Sequence, residues 1–176
     1  TFVAVHTRNH HFFKFFRIVR QDGDKSYPAT ELLRFRRVRA SAIAREKLNL
    51  PAGAMVFEFL NLLSLNGDVV MMDEICLPES CFPGMTEAHL RDRASTLYAL
   101  YQDVFGVNVI ATDERLRTCV AERMQARALG VAEGSPLLEI RRVAFSYKRQ
   151  AVEWRISRVN TERYEYLGQE PWEAGA

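Results

Sequence analysis

The chain carries one pattern twice, and that repetition narrows the folds open to it. Leu48-Asn49-Leu50-Pro51-Ala52-Gly53 and Leu129-Gly130-Val131-Ala132-Glu133-Gly134 both read L-x-[L/V]-x-x-G. Each follows a segment of helical character and precedes a long apolar strand, a hairpin and a returning strand. Gly53 to the hairpin at Gly67 is fourteen residues, and Gly134 to Lys148 is also fourteen. A unit of helix, tight turn, strand, hairpin and strand, used twice, buries its apolar faces by stacking the copies. The alternative is that two helix-to-strand junctions merely share turn chemistry. The second strand of each unit carries an acid near its start: Asp73 (with Glu74) and Glu153. Packing about a pseudo-two-fold axis sets those carboxylates face to face across one sheet. The match slips by one, since six positions separate Gly67 from Asp73 and five separate Lys148 from Glu153.

Phe12 to Val19, aromatic and β-branched, predicts a strand that ends at the turn Gln21-Asp22-Gly23-Asp24. Leu32 to Arg39 predicts a second strand. Ser41 is placed to N-cap a short helix through Leu48, which Pro51 and Gly53 stop. Met55 to Leu65 and Val69 to Leu77 flank Asn66-Gly67, the strongest short hairpin signal. Pro83-Gly84 marks a loop. Ser95 opens a helix with Leu97, Leu100, Tyr101, Val104 and Phe105 on one face and Gly106 at its end. Val107 to Ala111 is extended, and a helix follows from about Val120 to Leu129. Leu137 to Tyr147 and Ala151 to Val159 flank a turn at Lys148-Arg149-Gln150, and the tail beyond Tyr166 reads as loose. Antiparallel hairpins with helices between them make an α+β domain.

With 176 residues, 48% of them hydrophobic, the chain suits one domain with a full core. A net charge of +2 is too balanced for a nucleic-acid binder, which needs a concentrated basic surface. Arg34, Arg36, Arg37 and Arg39 form a local exception. They read as a solvated edge strand guarded by charge, with a phosphate or DNA-backbone contact as the alternative. Cys76, Cys81 and Cys119 are odd in number and form no C-x-x-C, which fits reduced thiols in a cytoplasm. His6, His10 and His11 match no metal-ligand spacing and read as linker. No apolar run approaches a membrane span, and no cofactor or metal is expected. The opening Thr1-Phe2-Val3-Ala4 lacks an initiator Met and a signal peptide, so the chain is expected to be part of a longer protein.

Several motifs, in order, resemble the UTRA effector-binding domain of GntR-type transcription regulators, in the HutC-like branch. They are Leu77-Pro78 with Phe82-Pro83-Gly84, then Thr96-Leu97-Tyr98 and Phe105-Gly106-Val107. Leu129-Gly130-Val131 through Gly134-Ser135-Pro136-Leu137-Leu138, Val152-Glu153 and Arg163-Tyr164 follow. The resemblance covers nearly the whole chain. It implies an antiparallel sheet of about six strands wrapped by helices, similar to chorismate lyase, with a ligand at the sheet face and a homodimer as the assembly. Thr1-Phe2-Val3 also resembles the final wing strand of the winged helix-turn-helix domain that precedes UTRA. Residues 1–9 are then a remnant of that wing and its linker, 10–167 the effector-binding domain, and 168–176 a loose tail.

A sensing pocket needs a mostly apolar concave lining and a few directed polar groups. Ser95 and Thr96 lie at a helix N-terminus, where free N–H groups and the helix dipole attract anions; N-capping by Ser95 alone is the plainer account. The resemblance assigns effector contacts to Thr96, Tyr98, Asp73 and Glu153. Glu74 has the opposite strand parity to Asp73, so one of the two points inward. Arg155 and Ser157 share the strand face of Glu153, and a Glu153–Arg155 ion pair is the structural alternative. Sugar-phosphate-sensing members carry R-x-R where this chain has Asn61 and Leu63, and an aromatic contact where it has Val159. Losing both planar forks disfavours a phosphorylated effector. The expected effector is an unphosphorylated small metabolite. Arg17 or Arg155 is available for a carboxylate, and Asp73 and Glu153 for an amine or hydroxyls.

The resulting expectation is a ligand-gated, non-enzymatic repressor domain, with operator DNA read by a domain outside this chain. A chorismate lyase-like enzyme is the alternative, with Glu153 as its buried acid. A dimerisation module without a ligand is a third possibility.

Overall fold

The computed structural model describes Phe12, residues 14–23 and residues 25–168. Residues 1–9, expected to be a wing remnant and linker, the histidines His6, His10 and His11, and residues 169–176, expected to be tail, lie outside the described residues. In chain order the elements are β1 (Ile18–Arg20), β2 (Ala29–Arg39), α1 (Ala42–Leu48), β3 (Met55–Leu65), β4 (Asp68–Pro78), α2 (Glu87–Arg91), α3 (Leu97–Phe105), β5 (Ala111–Val120), α4 (Arg123–Leu129), β6 (Pro136–Phe145), β7 (Ala151–Val159) and β8 (Tyr164–Tyr166). Six strands form one antiparallel sheet in the order β2-β3-β4-β7-β6-β5, and β1 pairs with β8 in a separate ribbon.

That order is two copies of one unit meeting at β4 and β7. The repeat seen in the sequence is present in the backbone and is one strand longer at its start. Leu48 and Leu129 are 81 residues apart, and the same offset maps β2 onto β5, α1 onto α4 and β3 onto β6. Backbone bonds recur at equivalent places in the two loops. Leu50 N–H donates to the Arg45 carbonyl at 2.9 Å, and Val131 N–H donates to that of Ala126 at 3.0 Å. Ala40 N–H donates to the Ala54 carbonyl, and Ala121 N–H to that of Ser135, both at 2.8 Å. Both helices end on a left-handed residue, Asn49 and Gly130, the conformation that closes a helix by turning the chain back.

The hairpins differ by one residue. Asn66 and Gly67, with φ of 51° and 85°, make a two-residue turn between Leu65 and Asp68. The second hairpin passes through Tyr147–Arg149, with left-handed Lys148 and Arg149. Each returning strand then bulges at a buried valine, Val70 and Val152. Beyond the hairpin the offset is therefore 82, so Asp73 is equivalent to Arg155, while Asn61 is equivalent to Arg142. The two acids are not symmetry mates, contrary to the sequence expectation. Both still point to one face, because they are separated from true equivalence by two residues and strand side chains alternate with period two.

The sheet buries both faces. On one, α1 packs Ala44 and Leu48 on Val56 and Cys76, and α4 packs Ala126 and Leu129 on Leu60, Met72 and Leu137. On the other, Phe57, Phe59, Ile75 and Leu77 meet Leu90, Leu100 and Tyr101 of α2 and α3. A further cluster on that side joins Leu63, Met71, Ile140 and Val159 to Ile18 and Tyr164. Val159, at the position of the family's aromatic contact, is thus core.

Three local expectations are corrected. Phe12, Lys14 and Phe15 are helical, with Phe16 N–H donating to the Phe12 carbonyl at 2.9 Å, and only Ile18–Arg20 is strand. Phe15 and Phe16 are buried by tertiary packing, which overrides strand propensity. Ala111–Val120 is a ten-residue edge strand, where the sequence predicts an extended segment only as far as Ala111; most of its side chains are exposed, so it lacks apolar alternation. The helix expected from Val120 begins at Arg123. The arginine-rich strand β2 is the opposite sheet edge, and it carries cross-strand ion pairs Arg36–Glu58 and, to the chain after β4, Arg37–Glu79.

Candidate functional site

Between α2, α3 and the sheet lies a cavity of about 1270 Å³. Its floor is the stretch of sheet where the apolar side chains give way to polar ones. Register explains this belt. Asn61 of β3 sits opposite Asp73 of β4, which sits opposite Ser157 of β7. One row along, Arg155 sits opposite Arg142 of β6, which sits opposite Glu114 of β5. One half of the repeat supplies an amide and an acid, and the other supplies two guanidinium groups at the equivalent places.

Seven of the nine sequence-predicted residues line the cavity: Asn61, Leu63, Asp73, Ser95, Thr96, Tyr98 and Arg155. Glu153 and Ser157 do not. Glu153 is fully buried (0% exposed) beneath the floor. Arg155 Nε and Nη2 donate to its two oxygens at 2.9 and 2.8 Å, Tyr98 Oη donates at 3.1 Å and Tyr101 Oη at 2.6 Å. Ser157 Oγ donates to Asp73 Oδ1 at 2.5 Å, and Arg155 Nη1 donates to Asp73 Oδ2 at 3.1 Å. Arg155 thus bridges both acids, and its guanidinium lies 5.6 Å from the centre of the Tyr98 ring. Glu74 faces the other side, where it pairs with Arg158.

Burial and charge push these groups in different directions. Burial alone raises a carboxyl pKa, and at Asp73 it outweighs the Arg155 charge and the Ser157 bond, so that carboxyl is held above its ordinary value. At Glu153 burial is overcome by the Arg155 charge and by the Arg155 and Tyr101 bonds, and the pKa is lowered. Tyr98 is pushed up to about 12 by burial and by the Glu153 charge. Glu153 therefore stays ionised as the anchor of Tyr98, Tyr101 and Arg155.

At the helix mouth the N-cap is Thr96, not Ser95: Thr96 Oγ1 accepts from Ala99 N–H at 3.2 Å. Ser95 is exposed beside it on the cavity wall. Arg17, a sequence candidate for a carboxylate, instead donates to the Leu167 and Gly168 carbonyls.

Sequence reasoning missed three contributors. Arg142 lines the floor, pairs with Glu114, donates to Tyr98 Oη at 3.4 Å and donates to the Phe15 carbonyl. Its signal was legible: Ile140, Arg142 and Ala144 share one strand parity, and a charged residue in a buried register is informative. Phe12, Phe15 and Phe16 of the N-terminal segment wall the cavity, and no local pattern announces that. Arg93, in the turn between α2 and α3, also lines it, with no spacing signal. Among the described residues, no group of histidine, cysteine, aspartate or glutamate could hold a metal.

Comparison with known proteins places the fold and the sequence together. Residues 24–165 match the UTRA domain. The chain is similar in structure to the ligand-binding domain of a GntR-family transcriptional regulator from Bordetella bronchiseptica, with TM-score 0.84 and 31% identity over 89% of this chain and 97% of that one. It is 29% identical over 107 residues to the probable fructoselysine utilization operon transcriptional repressor of Escherichia coli K12, covering 61% of this chain and 43% of the repressor. It is 20% identical over 145 residues to the HTH-type transcriptional regulator GmuR of Bacillus subtilis, covering 77% of this chain and 60% of that one. The chain thus spans about half the length of these two regulators. By sequence and by fold it belongs to the UTRA domain family, the type of domain found in GntR-family regulators.

Proposed function

We propose that this domain is the effector-binding half of a cytoplasmic, homodimeric transcription regulator, and that it senses a small molecule rather than transforming one. The carrying observation is the cavity itself. It is large enough to enclose a metabolite, and its polar floor is tied together by the bonds that Arg155 and Ser157 make to Glu153 and Asp73. Asn61, Leu63, Asp73, Ser95, Thr96, Tyr98 and Arg155 contact the effector. Glu153 and Ser157 act through their neighbours, as positioning residues. No metal or cofactor takes part.

The route to DNA runs through the N-terminal segment. Phe12, Phe15 and Phe16 wall the cavity and Arg142 ties the Phe15 carbonyl to the floor, so occupancy favours one placement of the chain that leads toward a preceding winged helix-turn-helix domain. The effector shifts operator affinity only by its differential affinity for the two placements. The E. coli relative is a repressor by name, which favours repression here. The lyase alternative needs a reachable acid, and Glu153 is covered by Tyr98, Tyr101 and Arg155.

The test is a thermal-shift screen of organic acids, sugars, sugar phosphates and amines. A true effector at about 100 times its Kd stabilises by about 2.7 kcal/mol, a rise on the order of 5–10 °C for a domain of this size. A screen in which no compound raises Tm favours a dimerisation module without a ligand, and release of 4-hydroxybenzoate or pyruvate from chorismate favours a lyase.

A further inference from the structure

Four arginines line the cavity: Arg91, Arg93, Arg142 and Arg155. Three are matched by the chain's own carboxylates. Arg91 pairs with Glu87 at 2.6 Å, Arg142 with Glu114, and Arg155 with Asp73 and Glu153 at 3.1 and 2.8 Å. Among the described residues Arg93 has no carboxylate within ion-pair distance. Its Nη1 donates to the Leu90 carbonyl at 2.6 Å, and its guanidinium makes no further hydrogen bond among the described residues. Arg93 is half-buried, and burial, opposed by Tyr101 and reinforced by the nearby Arg155 charge, lowers its pKa. A guanidinium does not shed its proton at neutral pH, so a desolvated positive charge stands uncompensated on the cavity wall. The N-terminus of α3 opens onto the same wall and adds positive potential.

The floor holds the complementary vacancy for a donor. Asn61 is 2% exposed, and its Oδ1 is a buried acceptor with no hydrogen-bond partner among the described residues. Buried amide oxygens are almost always paired, and this one borders the cavity. Its neighbour Asp73 already spends both oxygens on Ser157 and Arg155. Phe15, Leu32, Leu63 and Val109 of the same lining offer apolar surface.

We infer that the effector is a small organic acid bearing a hydroxyl or ammonium donor, its carboxylate on Arg93 at the α2–α3 turn and its donor on Asn61 Oδ1. This deepens the effector-cavity reading and rests on it. One guanidinium fork suits one carboxylate bidentately, whereas a dianionic phosphoryl group calls for the second arginine that Asn61 and Leu63 do not supply.

The experiment uses the described domain labelled with 15N-arginine, with malonate, hydroxymalonate and inorganic phosphate as probes at constant ionic strength against chloride. The Arg93 Nε–Hε resonance, assigned by its loss in Arg93→Gln, is expected to shift saturably with malonate. Arg91→Gln retains the shift in that resonance. Hydroxymalonate is expected to bind at least threefold tighter than malonate, and Asn61→Leu erases that gain. Should Arg93→Gln fail to fold, Arg93→Lys assigns the resonance and weakens malonate severalfold. No response beyond chloride, or a response to phosphate alone, overturns the carboxylate assignment; equal affinity for the two malonates overturns the donor. If neutral sugars or amines raise Tm in the screen above and Arg93→Gln leaves that rise intact, the sensor reading survives and this inference fails.

Discussion

Replacing Glu153 by Gln tests the polar floor most directly, because the side chain keeps its shape and loses only its charge. Four donors converge on the native carboxylate, two from Arg155 and one each from Tyr98 and Tyr101. A glutamine presents one acceptor oxygen, so about half of that arrangement is lost and Arg155 is left to Asp73. Removing one partner of a buried ion pair costs about 3–5 kcal/mol, and the retained acceptor places Glu153→Gln near the low end, about 3 kcal/mol. For a domain of this size that is a fall in Tm on the order of 6–12 °C. Asp73→Asn should cost less, about 1–2 kcal/mol, since Arg155 keeps both Glu153 oxygens. The pH dependence separates the two. Glu153 has a lowered pKa, so its stabilisation is complete above the unfolded glutamate value of about 4.3 and is lost as pH falls through its folded value. The Glu153→Gln deficit is therefore largest at pH 7 and shrinks in acid. Asp73 has a raised pKa, so its ionisation weakens the fold and protonation strengthens it as pH falls through its folded value. The Asp73→Asn deficit accordingly grows in acid relative to pH 7. Urea titrations at pH 7 and pH 4, followed by circular dichroism with the m-value checked for constancy, measure both. A Glu153→Gln protein within about 1 kcal/mol of the parent at pH 7 would refute the account of the floor as an ionised, mutually compensated cluster.

Arg142→Met releases the Phe15 carbonyl and strips Glu114 of its cation, so amides of residues 14–20 should exchange at least tenfold faster while those of β3 and β4 hold; hydrogen–deuterium exchange reads this, and uniform loss of protection would contradict the local coupling. Gly130→Ala places a Cβ on a left-handed residue and should cost about 1–2 kcal/mol, whereas Asn49→Gly at the equivalent turn should be neutral or slightly stabilising; urea midpoints compare them. Ser41→Ala removes the oxygen that accepts from Ala44 N–H at 3.2 Å and should cost about 1 kcal/mol, read the same way.

What local chemistry governs could be read from the residues alone. The caps at Ser41, Gly106 and Gly130, the Asn66-Gly67 turn and the limits of β3 follow from short-range hydrogen bonding and φ preferences, which travel with the sequence. The twofold unit was visible for the same reason, since both copies use the same turn. Strand parity likewise put Glu153, Arg155 and Ser157 on one face of their strand and set Asp73 and Glu74 on opposite faces of theirs. Register across strands distant in the chain was beyond that reach. One extra hairpin residue and a bulge in each returning strand decide that Asp73 answers to Arg155. They also decide that Glu153 lies beneath the floor and that Arg142 meets Phe15 across 127 positions. Edge strand β5 went unread because pairing with β6, not burial or apolar alternation, sets its form, and the helical residues Phe12, Lys14 and Phe15 went unread because packing against remote segments overrides their propensity. Local patterning thus set the repeated units and the parity of their polar residues, while which of those residues meet was left to long-range pairing, because that depends on how the two halves dock.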